Sequence, residues 1–181
     1  MKKNLLLPVA AVFLSFLLFA CVKDTDFDQA EDIALTPVVE LDLIYFNLTA
    51  SHFFDSINNT PVLTVTDTTD IRFLDDAQIQ ESLRRAEFYF KFTNGIPRTF
   101  QVDFQFLSET NDTTYTTQTN VIQGTPQDPV ITEFEEVVEG DDITRLTAAS
   151  KVVVSVTIPS SNQTLEGTLN LQSKTTYYLE F

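Results

Sequence analysis

Two side chains of the kind that begin covalent chemistry occur once each, Cys21 and His52. A cysteine or serine nucleophile needs a base beside it, and here that base would have to be His52. Nothing around His52 in the sequence supplies an orienting third group, so it reads as a loop or strand-end residue. One cysteine excludes an internal disulfide and a thiolate zinc cluster, and one histidine cannot furnish a multi-histidine metal site. Gly-x-Ser-x-Gly, phosphate-loop and His-Glu-x-x-His patterns are absent. Carboxylates, by contrast, abound. The densest run holds Glu133, Glu135, Glu136, Glu139, Asp141 and Asp142. Such a run could collect oxygen ligands for a hard cation such as Ca²⁺. It could equally be the charged edge that stops one strand from pairing with another chain. The second reading is preferred, and neither metal nor cofactor is expected. A two-carboxylate glycosidase needs its acids at a set separation across a cleft, which order in sequence does not reveal.

Acidic residues number 26 against 11 lysines and arginines, a formal charge of −15. A polyanion gains nothing from nucleic-acid phosphates, so no nucleic-acid partner is expected. An anionic membrane surface should repel it as well. Membrane contact must then come from the N-terminus. Lys2 and Lys3 precede an uncharged apolar run over residues 5–20, which has the form of a secretory signal peptide. A signal anchor retained as a transmembrane helix is the alternative, but the run is shorter than the roughly 20 residues that a span prefers.

Leu18, Ala20 and Cys21 resemble the lipobox of bacterial lipoproteins, with Phe19 bulkier than usual at its position. The resemblance implies cleavage before Cys21, lipidation of its sulfur and acylation of its new amine. At about 0.8 kcal/mol per buried methylene, two or three acyl chains anchor a protein firmly. Lys23-Asp24-Thr25-Asp26 resembles the short acidic signal behind the lipidated cysteine of surface-exported lipoproteins in the Bacteroidetes; a plain solvated linker is the alternative. Asp24, Asp26 and Asp28 also imitate the start of an EF-hand loop. That reading fails, because Gln29 stands where the loop needs Gly and Leu35 where it needs Glu. The expected organisation is a signal peptide over 1–20, a lipidated acidic tether over 21–37 and a single domain over 38–181.

The elements that must position any site are strands. Phe88, Phe90 and Phe92 alternate with Glu87, Tyr89 and Lys91, and Phe100, Val102, Phe104 and Phe106 alternate with Gln101, Asp103 and Gln105. Each row is a half-buried strand with one apolar face. Asn94-Gly95 is a two-residue hairpin signal, yet a two-residue loop would set the two Phe rows on opposite faces. Either the loop has an odd length, or a bulge intervenes, or the strands belong to different sheets.

Residues 38–50, apolar on both faces, predict a central or kinked strand. Further strands are expected at 61–66, 70–74, 113–122, 130–138, 151–158, 164–171 and 174–181. A short helix is expected over 75–85, capped by Asp75, with Glu81 meeting Arg84 or Arg85. Another begins at Asp141-Asp142 and buries Ile143, Leu146 and Ala149. The pattern predicts an all-β protein, an antiparallel β-sandwich with one or two short helices, immunoglobulin-like or late-embryogenesis-like by analogy.

Tyr45, Tyr89, Tyr115, Tyr177 and Tyr178 are aromatics outside the Phe rows and candidates for sugar contact. Ser56, Thr68 and Thr113 follow aspartates in tripeptides that resemble Bacteroidetes protein O-glycosylation sites. The functional expectation is a non-catalytic outer-membrane lipoprotein, lipid-anchored and on the cell surface, that binds an envelope protein or an extracellular glycan. A periplasm-facing accessory subunit of an assembly or transport complex is the alternative, and a small glycan-active enzyme a third.

Overall fold

A computed structural model describes residues 34–181. Cys21, Lys23-Asp24-Thr25-Asp26, the signal peptide and most of the tether lie outside the described residues. The strands are β1 (Val38–Thr49), β2 (Phe54–Asp55), β3 (Thr60–Pro61), β4 (Thr64–Asp70), β5 (Leu83–Asn94), β6 (Phe100–Leu107), β7 (Thr113–Val121), β8 (Val130–Glu139), β9 (Lys151–Thr157) and β10 (Thr168–Leu179). Two short helices join them, α1 (Ala77–Ser82) and α2 (Asp141–Thr147).

Two four-stranded sheets form, ordered β1-β10-β5-β8 and β4-β9-β6-β7, beside the small β2-β3 pair. Every pairing is antiparallel. The protein is therefore an all-β antiparallel sandwich with two short helices. Within that class its connections are those of a jelly roll, eight strands in two four-stranded sheets, and not the immunoglobulin order. In the two large sheets only β6 and β7 are both consecutive and paired.

The paradox of the two Phe rows is resolved by its third option. β5 and β6 lie in different sheets, so both rows point inward and face each other. Phe90 and Phe104 have ring centroids 4.1 Å apart, and Phe88 and Phe106 5.1 Å. Offset and tilted aromatic pairs at such distances contribute about 0.5–1.5 kcal/mol beyond the area they bury.

Asn94-Gly95 is thus no hairpin turn. Asn94 is fully buried at the end of β5 and holds two loops together, 95–99 and the one that follows β7. Its Nδ2 donates to the carbonyls of Arg98 at 2.8 Å and Ile122 at 2.9 Å, and its Oδ1 accepts from the Ile96 amide at 2.8 Å. The backbones crowd here. A Cβ on Gly124 would stand 2.0 Å from the Asn94 carbonyl oxygen. A Cβ on Gly167, whose φ is +112°, would stand 2.1 Å from that of Gly95. Only glycine permits this approach.

Several boundaries shift from expectation. β1 is an edge strand, not a central one. Its kink is real: the register slips between Asp42 and Tyr45, and Ser173 Oγ fills the gap, accepting from the Ile44 amide at 2.9 Å and donating to the Ile44 carbonyl at 2.8 Å. Asp67-Thr68-Thr69-Asp70 does not separate two strands but lies inside β4, because each residue has a partner on β9. Residues 72–75 form a 3₁₀ turn instead of a strand. The strands expected at 164–171 and 174–181 are one, β10, paired along its length with β1 and β5.

α1 is capped by Asp76, not Asp75: Asp76 Oδ1 accepts from Gln78 N at 2.8 Å and Ile79 N at 3.2 Å. The helix stops at Ser82, so Arg84 reaches the Glu81 carbonyl and the Glu180 carboxylate in place of the Glu81 side chain. α2 forms as expected, with Ile143, Leu146 and Ala149 buried.

The two open edges of the sandwich differ. Between β7 and β8, Glu136 turns inward and accepts from the Tyr115 hydroxyl and from Thr117 Oγ1, the latter at 2.9 Å. This staples one sheet to the other. Between β1 and β4, Phe46, Leu48, Val65 and Val156 line a small apolar cleft of about 150 Å³, with Asp67 on its rim. An inward-facing charge on an edge strand discourages pairing with another chain.

Replacing Asn94 by Ala leaves two part-buried carbonyls and one buried amide without their partner, at up to about 1–3 kcal/mol each. The expected loss is about 3 kcal/mol or more, with a drop in Tm of roughly 10 °C by calorimetry; a fall under ~1 kcal/mol would show that water replaces the amide.

Alkaline stability follows from two tyrosines. Burial pushes Tyr177 up to about 12. Tyr115 is raised by burial and then by its bond to Glu136. Both shifts favour the neutral phenol in the folded state. That stabilisation is complete below the unfolded tyrosine value of about 10 and is lost as pH rises through the folded values. Urea midpoints should therefore fall steeply above about pH 10, and a variant carrying Tyr115→Phe and Tyr177→Phe should fall markedly less. Equal loss in both proteins would assign the effect to other groups.

Candidate functional site

Strand alternation decides what the outer face of the β1-β10-β5-β8 sheet presents. β5 sends Arg85, Glu87, Tyr89, Lys91 and Thr93 outward while its Phe row goes in. The register sets partners beside each. Tyr89 lies between Lys174 of β10 and Glu135 of β8. Glu87 lies between Thr176 and Val137, and Lys91 between Gln172 and Glu133. On the edge strand, Tyr45 adjoins Gln172. Three of the five tyrosines, Tyr45, Tyr89 and Tyr178, thus share this face. The other two do not: Tyr177 is buried 4.6 Å from the Phe73 ring, and Tyr115 belongs to the staple.

A groove of about 550 Å³ crosses the face, lined among others by Arg85, Glu87, Tyr89, Glu135, Lys174 and Thr176. Its side chains hold one another. The Tyr89 hydroxyl donates to Glu133 Oε1 at 2.6 Å, which raises the phenol's pKa. The Tyr178 hydroxyl donates to Glu87 Oε2 at 2.8 Å, with the same effect. Arg85 pairs with Glu87 and lies 5.4 Å from the Tyr178 ring centroid, within cation–π range. Lys174 meets Glu40 at 2.6 Å, and this bond holds its ammonium above the usual lysine range. Glu135 and Lys91 have no hydrogen-bond or ion-pair partner among the described residues and so keep their full capacity for a ligand.

The arrangement suits a polyhydroxylated ligand. Rings whose orientation is fixed by hydrogen bonds present apolar surface at low entropic cost. Carboxylates, amides and hydroxyls between them accept and donate to hydroxyl groups. The acidic cluster predicted from sequence is dispersed by the fold. Glu133, Glu135 and Glu139 face out on β8, Glu136 faces in, and Asp141 and Asp142 open α2, where Asp142 meets Arg145 at 3.2 Å. Among the described residues, no group of three or more His, Cys, Asp or Glu is placed to hold a metal ion.

His52 sits exposed in the 3₁₀ turn after β1, where its Nδ1 accepts from the Thr49 amide at 3.1 Å. Ser56 is exposed in the turn between β2 and β3, where Asp55 accepts from the Ile57 and Asn58 amides and from the Asn58 side chain. The side-chain bond to Asn58 is the main cause of the lowered Asp55 pKa. Thr68 lies within β4 and not in a loop, and Thr113 begins β7. The groove residues that sequence reading missed are Arg85, Lys174 and Thr176. Outward alternation on 83–94 and 168–179 marks them as solvent-facing, but nothing local reveals that β10 lies beside β5.

No family model and no curated protein matches the sequence. The folded chain is similar in outline to parts of solved structures. One is the VP2 subviral particle of infectious bursal disease virus, at 9% identity and a TM-score of 0.48, covering 79% of this chain and 32% of that one. Another is a protein of Parabacteroides distasonis described as secreted, at 15% identity and 0.43, covering 63% and 37%. A third is the enzymatically active domain of tailspike protein 4 of bacteriophage CBA120, at 12% and 0.38, covering 81% and 19%. This chain spans less than two fifths of each of these proteins, and likenesses at this level carry no argument about function.

Proposed function

We propose that this protein is a lipid-anchored binding module of the bacterial cell envelope that holds an extracellular glycan on the outer face of the β1-β10-β5-β8 sheet. The observation that supports this most is the convergence of Tyr45, Tyr89 and Tyr178 with carboxylates, amides and three cations on one exposed four-stranded face. The anchor is read from the apolar run and Leu18-Phe19-Ala20-Cys21, and the outward orientation from Lys23-Asp24-Thr25-Asp26. With net charge −15 the ligand is not a polyanion. β1 enters the sandwich next to the C-terminal strand, with mutual backbone bonds between Leu35 and Phe181 at 3.2 and 2.9 Å.

Cell fractionation and protease shaving test the anchor. The wild type is expected in the detergent phase and to be cut on intact cells, and Cys21→Ala is expected to lose membrane association. Protection on intact cells with cutting after lysis would place the domain in the periplasm and favour an accessory-subunit role.

The face is tested with the full chain in detergent against a panel of neutral oligosaccharides. Tyr89→Ala should weaken binding roughly tenfold or more, as truncation of a central aromatic commonly does. Thr116→Ala, on the opposite sheet, should leave it unchanged. Equal affinity in both variants, or no binding by the wild type, removes the glycan reading.

A further inference from the structure

We infer that a second site lies at the end of the sandwich opposite Leu35 and Phe181, and that it takes the carboxylate of an acidic sugar residue. The site is a pocket of about 350 Å³ formed by three loops, lined by Pro97, Arg98, Gln127, Asn162, Thr164 and Glu166, among others. A 12-residue strand such as β5 separates the two ends by roughly 35 Å.

Arg98 is the centre of the argument. In a chain this acidic, arginines find carboxylates readily: Arg72, Arg84, Arg85 and Arg145 all do. Arg98 takes part in none of the ion pairs among the described residues. Its guanidinium is instead held by neutral acceptors, Nη1 donating to the Pro97 carbonyl at 2.7 Å and Nε to Ser160 Oγ at 3.2 Å. The loop that carries it is pinned from beneath, since its own carbonyl accepts from buried Asn94 at 2.8 Å. A half-buried guanidinium is thereby fixed in orientation with its outer N–H groups unused.

The neighbouring groups select the ligand. Asn162 Oδ1 is occupied by the Thr164 amide at 3.0 Å and the Thr164 hydroxyl at 2.9 Å, which leaves the Asn162 amide nitrogen as a free donor. Gln127 supplies another amide from the facing loop. A planar carboxylate matches the arginine fork and the amides beside it. Glu166 in the same pocket accepts from hydroxyls and repels a second anionic group. The ligand so defined carries one carboxylate among several hydroxyls, as a uronic acid residue at the end of a glycan does. This site shares no residue with the sheet-face groove, so either can fail alone.

The test titrates the full chain in detergent with a glucuronosyl-xylose disaccharide, which carries a single carboxylate, its methyl ester and trialanine by calorimetry. Saturable binding of glucuronosyl-xylose is expected, without binding of the ester or the peptide. Arg98→Gln should weaken it roughly tenfold or more, and Arg98→Lys, which keeps the charge and loses the fork, should weaken it nearly as much. Tyr89→Ala should leave it unchanged. If Arg98→Gln does not fold, Asn162→Ala and Gln127→Ala on exposed loops carry the test. No saturable binding, equal binding of the methyl ester, or undiminished binding by the Arg98 variants would overturn the site. Equal binding of trialanine would overturn its assignment to a sugar.

Discussion

The structure depends on one constraint: two neighbouring strands in the chain, β5 and β6, each carry a row of phenylalanines, and both rows must be inside. Strand alternation has a period of two, so a tight hairpin between them would expose one row. Each exposed Phe would forgo about 2–3 kcal/mol of burial. The chain avoids this by carrying residues 95–99 across from one sheet to the other, so that Phe88 and Phe90 meet Phe106 and Phe104 face to face. Once β5 and β6 are split, β5 must find its neighbours elsewhere. It takes β10 from the far end of the sequence and β8 from the middle. The polar halves of the same alternation become the two outer faces. Both candidate sites are by-products of this arrangement, one on an outer face and one among the loops that cross between sheets.

What could be read in advance divides along the same line. Local signals were reliable. The Phe rows, the apolar side of α2, the Thr-rich strand at 113–121 and the class of the fold all follow from alternation or helical spacing within ten or so residues. Long-range signals were not. Asn94-Gly95 has the chemistry of a turn, and only the burial of Asn94 between two loops shows that its amide serves as a bracket. β1 looked central because both its sides are apolar, but one register slip near Ser173 accounts for that. The Asp67–Asp70 stretch looked like a break because aspartate and threonine favour turns, and pairing with β9 overrides this preference. The outer-face tyrosines could each be marked as exposed, but their gathering on one face needed the order β1-β10-β5-β8. Arg98 gave no signal at all, since an arginine after a proline is unremarkable until its neighbours are known.

The edges show how a sandwich with two open sides guards its outermost strands. The β7–β8 side is closed by a carboxylate turned inward, and Glu136 is tolerated there because Tyr115 and Thr117 satisfy it. The same glutamate, read from sequence, was one of six acids in a run. Its neighbours Glu133 and Glu135 point outward, and this one residue of difference separates a bond between the sheets from a solvent-facing carboxylate. The β1–β4 side is closed less tightly, with the bulge of β1 opposite Ser173 kinking one edge and Asp67 on the rim of the other.

The charge of the chain bears on both sites in the same way. On the sheet face the cations are mostly engaged, Arg85 by Glu87 and Lys174 by Glu40, so the groove offers a nearly balanced surface in an acidic protein. At the loop end Arg98 stays outside the ion pairs among the described residues because its partners there are a backbone carbonyl and a serine. Holding an arginine by neutral groups costs the protein an available ion pair worth under about 1 kcal/mol at a surface, and it preserves the guanidinium's attraction for an incoming carboxylate. In a field of −15 that attraction must overcome general repulsion, so binding at Arg98 should favour ligands with a single charge, at short range, and strengthen as salt screens the rest of the molecule.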